Sequence, residues 1–379
     1  MTALEKKNLE SYALRLIRES TTDRPVWNVE KLRSGEKASW NYIDGCMIIS
    51  LLELFDVTGN QEYFDFAERF VGRQIAEDGT IAGYEPEKYR LDDVNEGRVL
   101  FTLYEKTGKE KYRLAADRLR DQLLHQPRTF EYSFWHKEIY PDQVWLDGIY
   151  MAQVFAALYA LRFGNGDTSD VLRQLRIVHT HMRDPKTGLY YHGYDASRKA
   201  FWADPETGLS KNFWLRSIGW FSAALADLSE ILPEGEGRAE VRGILVELMT
   251  DIADFADEES GMYWQVVDQP GREGNYLETS GSAMVAYSML KAARLGILEA
   301  CYGELGRKTM NGILRKYVTF DEGKMELGGI CLVAGLGPEK DHRRDGSYAY
   351  YISEPVVRND AKGVAPVLMC FAEMLRTEA

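Results

Sequence analysis

Leu54-Phe55-Asp56-Val57-Thr58-Gly59-Asn60-Gln61-Glu62-Tyr63 returns 49 positions later as Leu103-Tyr104-Glu105-Lys106-Thr107-Gly108-Lys109-Glu110-Lys111-Tyr112. Thr58 pairs with Thr107, Tyr63 with Tyr112 and, further on, Ala67 with Ala116. Upstream of the first copy, Cys46, Met47, Ile48, Ile49, Leu51, Leu52, Leu54 and Phe55 leave almost no polar face, which predicts a helix enclosed on most sides. Downstream, Tyr63, Phe66, Ala67, Phe70 and Val71 recur at helical spacing between Glu62, Asp65, Glu68 and Arg69, which predicts a helix wet on one side. The repeating unit is therefore an inner helix, a glycine turn and an outer helix.

Weaker copies follow at 154–161 with 171–182, at 217–231 with 239–255, and at 282–295 with 301–317. The last of these is interrupted by Gly303, Gly306 and Gly312. A closing helix is expected from about Val364 to Arg376, with Pro366 in its first turn, where proline is tolerated. Counted from residue 40, about six hairpins result. Six hairpins with all-apolar inner helices can close on themselves, so the expected fold is all-α, an (α/α)6 barrel. It is read as one domain over residues 1–379, with 1–35 as an N-terminal helix and lead-in segment.

The links divide into two kinds. Thr58-Gly59 and Thr107-Gly108 are tight, whereas 76–95, 129–145, 184–212, 257–280 and 327–362 are long, and β-hairpins are expected at 184–191 and 257–264. Long loops in a compact domain usually serve a function. A rim of long loops opposite a rim of short ones makes a cup with its chemistry at the mouth.

Composition narrows what that chemistry is. The chain carries 46 Lys plus Arg against 59 Asp plus Glu, a net charge of −13, which gives no footprint for nucleic acid. No apolar run reaches the length of a membrane span, and the first residues are polar, without a signal core, so a cytoplasmic location is expected. Cys46, Cys301, Cys331 and Cys370 are scattered, so neither disulfides nor a metal site is expected, and no cofactor motif occurs. The 22 Tyr and 8 Trp serve a core first, but such rings also stack on sugars.

Polar residues at the long-loop rim stand out against this background. Asp92 and Asp93 open the second inner helix, where an Asp is commonly a cap. Asp147 opens the third, between Trp145-Leu146 and Gly148-Ile149-Tyr150-Met151; a carboxyl in that apolar company is expected to have a raised pKa and to stay protonated near neutral pH. Asp92 and Asp147 lie 55 positions apart, close to one repeat, and are expected to face each other across the cup. Arg216 and Trp220, four apart on the fourth inner helix, place a cation beside an aromatic ring, as a ligand with a carboxylate and a flat ring requires. His192, in Tyr190-Tyr191-His192-Gly193-Tyr194-Asp195, and His136, after Trp135, are histidines among aromatics whose ordinary role is structural. Together these residues describe an acidic helical cup suited to an acidic sugar.

At these residues the chain resembles glycoside hydrolase family 105, the unsaturated rhamnogalacturonyl hydrolases, with the family 88 unsaturated glucuronyl hydrolases as relatives. The similarity runs from Trp40-Asn41-Tyr42 to the end. Its most specific piece is Val144-Trp145-Leu146-Asp147-Gly148-Ile149-Tyr150-Met151. Supporting pieces are Asp92, 191–195, 213–220, 278–284 and 344–355. Where the family usually has Gly-Asn before Gly-Trp, this chain has Ser217-Ile218, so a sugar contact by that Asn is not expected here.

The resemblance implies a substrate ending in a 4,5-unsaturated uronic acid, left by a polysaccharide lyase, and hydration of its C4=C5 vinyl ether. It implies Asp147 as the catalytic acid and then base. Asp92 would hold hydroxyls or the water, Arg216 with His192 the carboxylate, and Trp220 or Tyr42 the flat ring, with His136 and Trp145 completing the substrate site. Two rivals stand beside it: a family 88-type hydrolase acting on glycosaminoglycan or gellan fragments, and a noncatalytic toroid that binds acidic oligosaccharides.

Overall fold

The computed structural model describes residues 1–377. Six inner helices form a closed ring in the order Tyr42–Thr58, Val99–Thr107, Val154–Arg162, Leu215–Ile231, Thr279–Arg294 and Ala361–Arg376, the last packing against the first. Five outer helices follow their inner partners directly: Gln61–Gly72, Glu110–His125, Ser169–Met182, Glu236–Ala253 and Ala300–Tyr317. The chain is an (α/α)6 barrel.

Burial follows the sequence pattern. Every residue of Leu215–Ile231 up to Ser229 is buried, as an inner helix requires, including Arg216 and Asp227. Gln61–Gly72 instead buries Tyr63, Phe66, Ala67 and Phe70 and turns Glu62, Asp65 and Arg69 outward. The repeated phrase also has one physical form. Thr58 and Thr107 each donate from Oγ1 to the carbonyl four residues back at 2.6 Å, and Gly59 and Gly108 follow at φ 67° and 66°. A left-handed residue closes the helix at little cost only when it lacks a Cβ.

Four expectations need correction. Counted from residue 40 there are five hairpins and a lone inner helix, Ala361–Arg376. Its outer partner is the N-terminal helix Ala3–Glu19, which buries Leu9, Tyr12, Ala13, Leu16 and Ile17 and is tied to its neighbour by the Arg18–Glu62 ion pair at 2.7 Å. Second, Gly303, Gly306 and Gly312 do not interrupt Ala300–Tyr317; a Cβ on Gly306 would come within 3.0 Å of the Ala286 carbonyl, so the glycine allows close helix packing. Third, the closing helix begins at Ala361, which puts Pro366 in the second turn, unable to donate to the Lys362 carbonyl.

Fourth, 184–191 and 257–264 are tight turns without strand ladders, the first closed by a single antiparallel bridge between Arg183 and Tyr190. Asp184 and Asp257 close them by receiving the amides of Gly188 and Gly261 on their carbonyls. Of the strands that do form, one pair joins two different rim loops, one closes within the 327–362 loop and one is a local hairpin after the last outer helix. Gln143–Trp145 pairs antiparallel with Gly193–Asp195, Ile330–Cys331 with Val356–Val357, and Val318–Asp321 with Lys324–Leu327.

Candidate active site

All six inner helices begin at the same rim. Their N-terminal ends bring Tyr42, Asp92, Asp147 and Arg216 to one mouth, and the aligned helix dipoles there favour a negative ligand. A cavity of about 190 Å3 opens between them, lined by Tyr42, Asp92, His136, Trp145, Asp147, Arg216 and Trp220. Glu30, Lys137, Tyr140, Met151, Trp214, Val333, Ala334 and Arg344 complete the lining. Of the site residues singled out in the sequence, His192 alone does not line it.

His192 stands directly behind the wall. The Gln143–Trp145 strand pairs with Gly193–Asp195 so that Trp145 faces Gly193, and the Leu146 amide donates to the His192 carbonyl at 2.9 Å. This register sets His192 Nε2 3.3 Å from Asp147 Oδ2. Neither atom has a conventional hydrogen bond, and both are fully enclosed. On its other side, His192 Nδ1 lies 2.7 Å from the Tyr351 hydroxyl. Asp147 sits between the strand and a π-helical turn, Ile149–Gln153, that opens the third inner helix. Wide turns of this kind often occur at functional sites. No side chain caps that turn or the Asp92–Asn95 turn, so neither Asp147 nor Asp92 is spent as a helix cap.

Asp92 belongs to a charge cluster. Lys137 Nζ lies 2.6 Å from Oδ2, and His136 Nε2 lies 3.5 Å from Oδ1. Burial pushes the Asp92 pKa up, but Lys137, His136 and Arg90 outweigh it and hold the carboxyl below its usual value. His136 is pulled down to about 4, chiefly by burial, and so is neutral at ordinary pH. Its ring stacks on Trp145 at 4.4 Å and 13°, and Tyr140 stacks on Trp145 beside it at 4.7 Å, so Trp145 is part of an ordered aromatic wall. Neighbouring Asp93, pushed up to about 6 mainly by burial, is held by Arg90 at 2.8 Å and does not line the cavity.

The opposite wall differs from the sequence picture in one contact. The ring beneath the Arg216 guanidinium is Trp214, at 5.1 Å, and not Trp220. Arg216 is 1% exposed, donates to the Cys331 carbonyl at 2.5 Å and to Ser280 Oγ at 3.2 Å, and forms no ion pair with a carboxylate among the described residues. A buried cation without an anion is a costly arrangement that a carboxylate ligand would relieve. Trp220 packs on Tyr150 at 4.7 Å and meets the edge of Tyr42 at 6.4 Å, which fixes both rings at the cavity. Ser217 turns back to the Trp214 carbonyl at 2.8 Å, and it and Ile218 are fully buried away from the cavity.

Glu30, Tyr140, Trp214 and Arg344 were missed in the sequence. Glu30 lies on a short helix, Val29–Ser34, and is held by Lys362 at 2.5 Å; Arg344 comes from the last long loop. No periodic signal marks either one. Trp214 was within reach, since it stands beside Arg216 in the chain.

The fold and this cavity define a class: an (α/α)6 toroid whose mouth presents three carboxylates, an arginine without a carboxylate partner and aromatic walls to one acidic sugar ring. The model of Glycosyl Hydrolase Family 88 matches residues 17–378. A family 105 glycoside hydrolase from C. acetobutylicum ATCC 824 is 39% identical, superposes with a TM-score of 0.89, and is covered over 99% of its length by 98% of this chain. The unsaturated rhamnogalacturonyl hydrolase YesR of Bacillus subtilis is 28% identical over 269 residues, 68% of this chain and 72% of YesR. The unsaturated glucuronyl hydrolase of Bacillus sp. GL1 shares the fold, with a TM-score of 0.69 at 14% identity, over 98% of this chain and 97% of that one.

The chain therefore belongs to glycoside hydrolase family 88, with a family 105 enzyme among its relatives, and is an unsaturated uronyl hydrolase of the family 88/105 type. Among the described residues no helix is long and apolar enough to cross a membrane, and no cluster of potential metal ligands occurs.

Proposed function

We infer that this protein removes the terminal 4,5-unsaturated galacturonic acid from rhamnogalacturonan fragments made by a polysaccharide lyase, acting in the cytoplasm on imported oligosaccharides. Asp147 carries the reading. It is the carboxyl that lines the cavity without a cation of its own beyond the enclosed imidazole, whereas Asp92 is neutralised by Lys137.

In this account the unsaturated ring lies against Trp220 and Tyr42, with its carboxylate toward Arg216. Protonated Asp147 delivers its proton to C4 while water adds at C5, and the carboxylate left behind takes the proton of that water. The hemiketal so formed opens and frees the aglycone, leaving a 4-deoxy-5-keto uronate. Asp92, held ionised, accepts from ring hydroxyls or from the water. Its polarity suits that task, and its Lys137 partner keeps it from competing as the acid. The rhamnose at the next position is argued from the likeness to the rhamnogalacturonyl hydrolase of B. subtilis.

The test is a panel of defined unsaturated disaccharides followed by loss of ultraviolet absorbance of the double bond. Fastest turnover with a rhamnose aglycone supports the reading. Preference for a hexosamine aglycone replaces the substrate assignment, and binding without loss of the double bond refutes catalysis.

A further inference from the structure

Tyr351, His192 and Asp147 form a line of three groups from the core to the cavity. Tyr351 Oη is 2.7 Å from His192 Nδ1, and His192 Nε2 is 3.3 Å from Asp147 Oδ2. Tyr351 and His192 are both wholly buried, so their protons must be placed within the protein. The Tyr351 ring is fixed by stacking on Trp214 at 5.9 Å and 11°, and its helix, Tyr348–Ser353, is capped by Ser347.

A neutral imidazole has one N–H and one lone pair, and its tautomer is set by the partner of either nitrogen. Among the described residues, His192 is the hydrogen-bond partner of the Tyr351 hydroxyl. If Nδ1 carried the proton and donated it to Oη, the hydroxyl hydrogen would be stranded in the core. With Oη–H donating to Nδ1, the imidazole proton is on Nε2, 3.3 Å from Oδ2; the contact is bent short of a conventional hydrogen bond but still gives that hydrogen a negative neighbour. Oδ2 then faces an N–H, which disfavours a proton of its own. It contributes nothing to the 13% exposure of the Asp147 side chain, so the other oxygen is the one on the cavity side.

We propose that Tyr351 is a positioning residue: by holding His192 in the Nε2–H tautomer, it assigns the acidic proton of Asp147 to Oδ1, the oxygen that faces the substrate. The proposal rests on Asp147 being the acid, as argued above, and adds which of its oxygens acts and what decides it. With the other tautomer the proton would settle between Oδ2 and Nε2, enclosed and out of reach of C4. Orientation of an imidazole through its second nitrogen is worth a great deal in other acid–base sites.

Two-dimensional 1H–15N spectra of the imidazoles in the full-length protein, with the His192 signals identified by their loss in His192→Gln, read the tautomer directly. A neutral Nε2–H ring in the wild type is expected. Tyr351→Phe keeps the stacked ring but lets the tautomers mix, and should lower kcat on an unsaturated disaccharide by roughly tenfold or more, within what an acid catalyst supplies, with KM within about twofold. An Nδ1–H ring or an imidazolium in the wild type overturns the proposal, as does an unchanged kcat in Tyr351→Phe. The spectrum is independent of turnover. An Nε2–H ring in a protein that leaves the double bond intact refutes the functional reading and keeps the tautomer lock; turnover with an Nδ1–H ring does the reverse.

Discussion

Replacing Asp227 with Asn should destabilise the barrel. Asp227, on the fourth inner helix, is 2% exposed and accepts from Arg98 at 2.6 Å, Lys291 at 2.8 Å and the Tyr287 hydroxyl at 2.6 Å. Those partners come from the start of the second inner helix and from the fifth, so one carboxylate ties three staves of the ring. Burial works against its charge, but Lys291 and Arg98 outweigh it and bring its pKa from the usual 3.8 to about 2. At about 1.4 kcal/mol per unit, that depression corresponds to roughly 2.5 kcal/mol of stability at neutral pH.

The sign follows from the direction of the shift. The unfolded carboxyl takes its proton first, so this contribution is complete above about pH 5 and is lost as pH falls through 3.8 toward 2. Asn keeps the shape and some hydrogen bonding but leaves Arg98 buried without its anion, while Lys291 keeps Glu230 at 2.8 Å, and breaking such a buried pair costs about 3–5 kcal/mol. For a chain of 379 residues that is a fall in Tm of roughly 4–6 °C. Calorimetry at pH 7 and pH 3 checks both parts. A loss below about 1 kcal/mol at pH 7, or a difference between variant and wild type that does not shrink at low pH, would refute the reasoning.

Other predictions concern the site. Asp147→Asn should fold with an unchanged circular dichroism spectrum and lose about 10²–10⁴-fold in kcat, the usual worth of a general acid; near-normal turnover would remove Asp147 from the mechanism. Trp220→Ala should weaken substrate binding by roughly tenfold, in line with about 1–3 kcal/mol for a stacked ring, read as a rise in KM. His136 is held neutral down to about pH 4, chiefly by burial, while the unfolded chain protonates near 6.5. The fold should therefore lose stability as pH falls between those values, and denaturant titrations of His136→Gln should show a flatter dependence. Gly312→Ala should destabilise by about 1–3 kcal/mol, as overpacking does, because its Cβ would collide with the Ser260 carbonyl; an unchanged melting temperature would contradict the packing account.

The ring was legible because its signal is periodic. The copies at Thr58 and Thr107 and the all-apolar inner segments are local patterns, and local patterns survive in one dimension. The N-terminal helix was expected within 1–35, and its place as the sixth outer helix could have been found by the same means, since Leu9, Tyr12, Ala13, Leu16 and Ile17 make a helical stripe that has to be covered. Asp147, Arg216 and Trp220 were visible because inner-helix starts are ordered by the repeat, which fixes the rim on which they lie.

The contacts that complete the site follow another rule. His192 meets Asp147 because two three-residue strands from different loops pair in one register, and strands that short leave no alternation to read. Arg344 reaches the cavity on a loop and Glu30 on a short helix near the opposite end of the chain, and the Asp227 network joins charges 129 and 64 residues away. Residue type alone could not place them, since a buried charge differs from a surface one only in its neighbours.

Turnover of an unsaturated disaccharide in D2O tests the central claim most directly. Delivery of a proton from Asp147 to C4 predicts a product with one deuterium at C4, on a single face, and no remaining C4=C5 double bond, observed by proton NMR. A released sugar that keeps its double bond and carries no deuterium at C4 would mean ordinary attack at the anomeric carbon and would contradict the account.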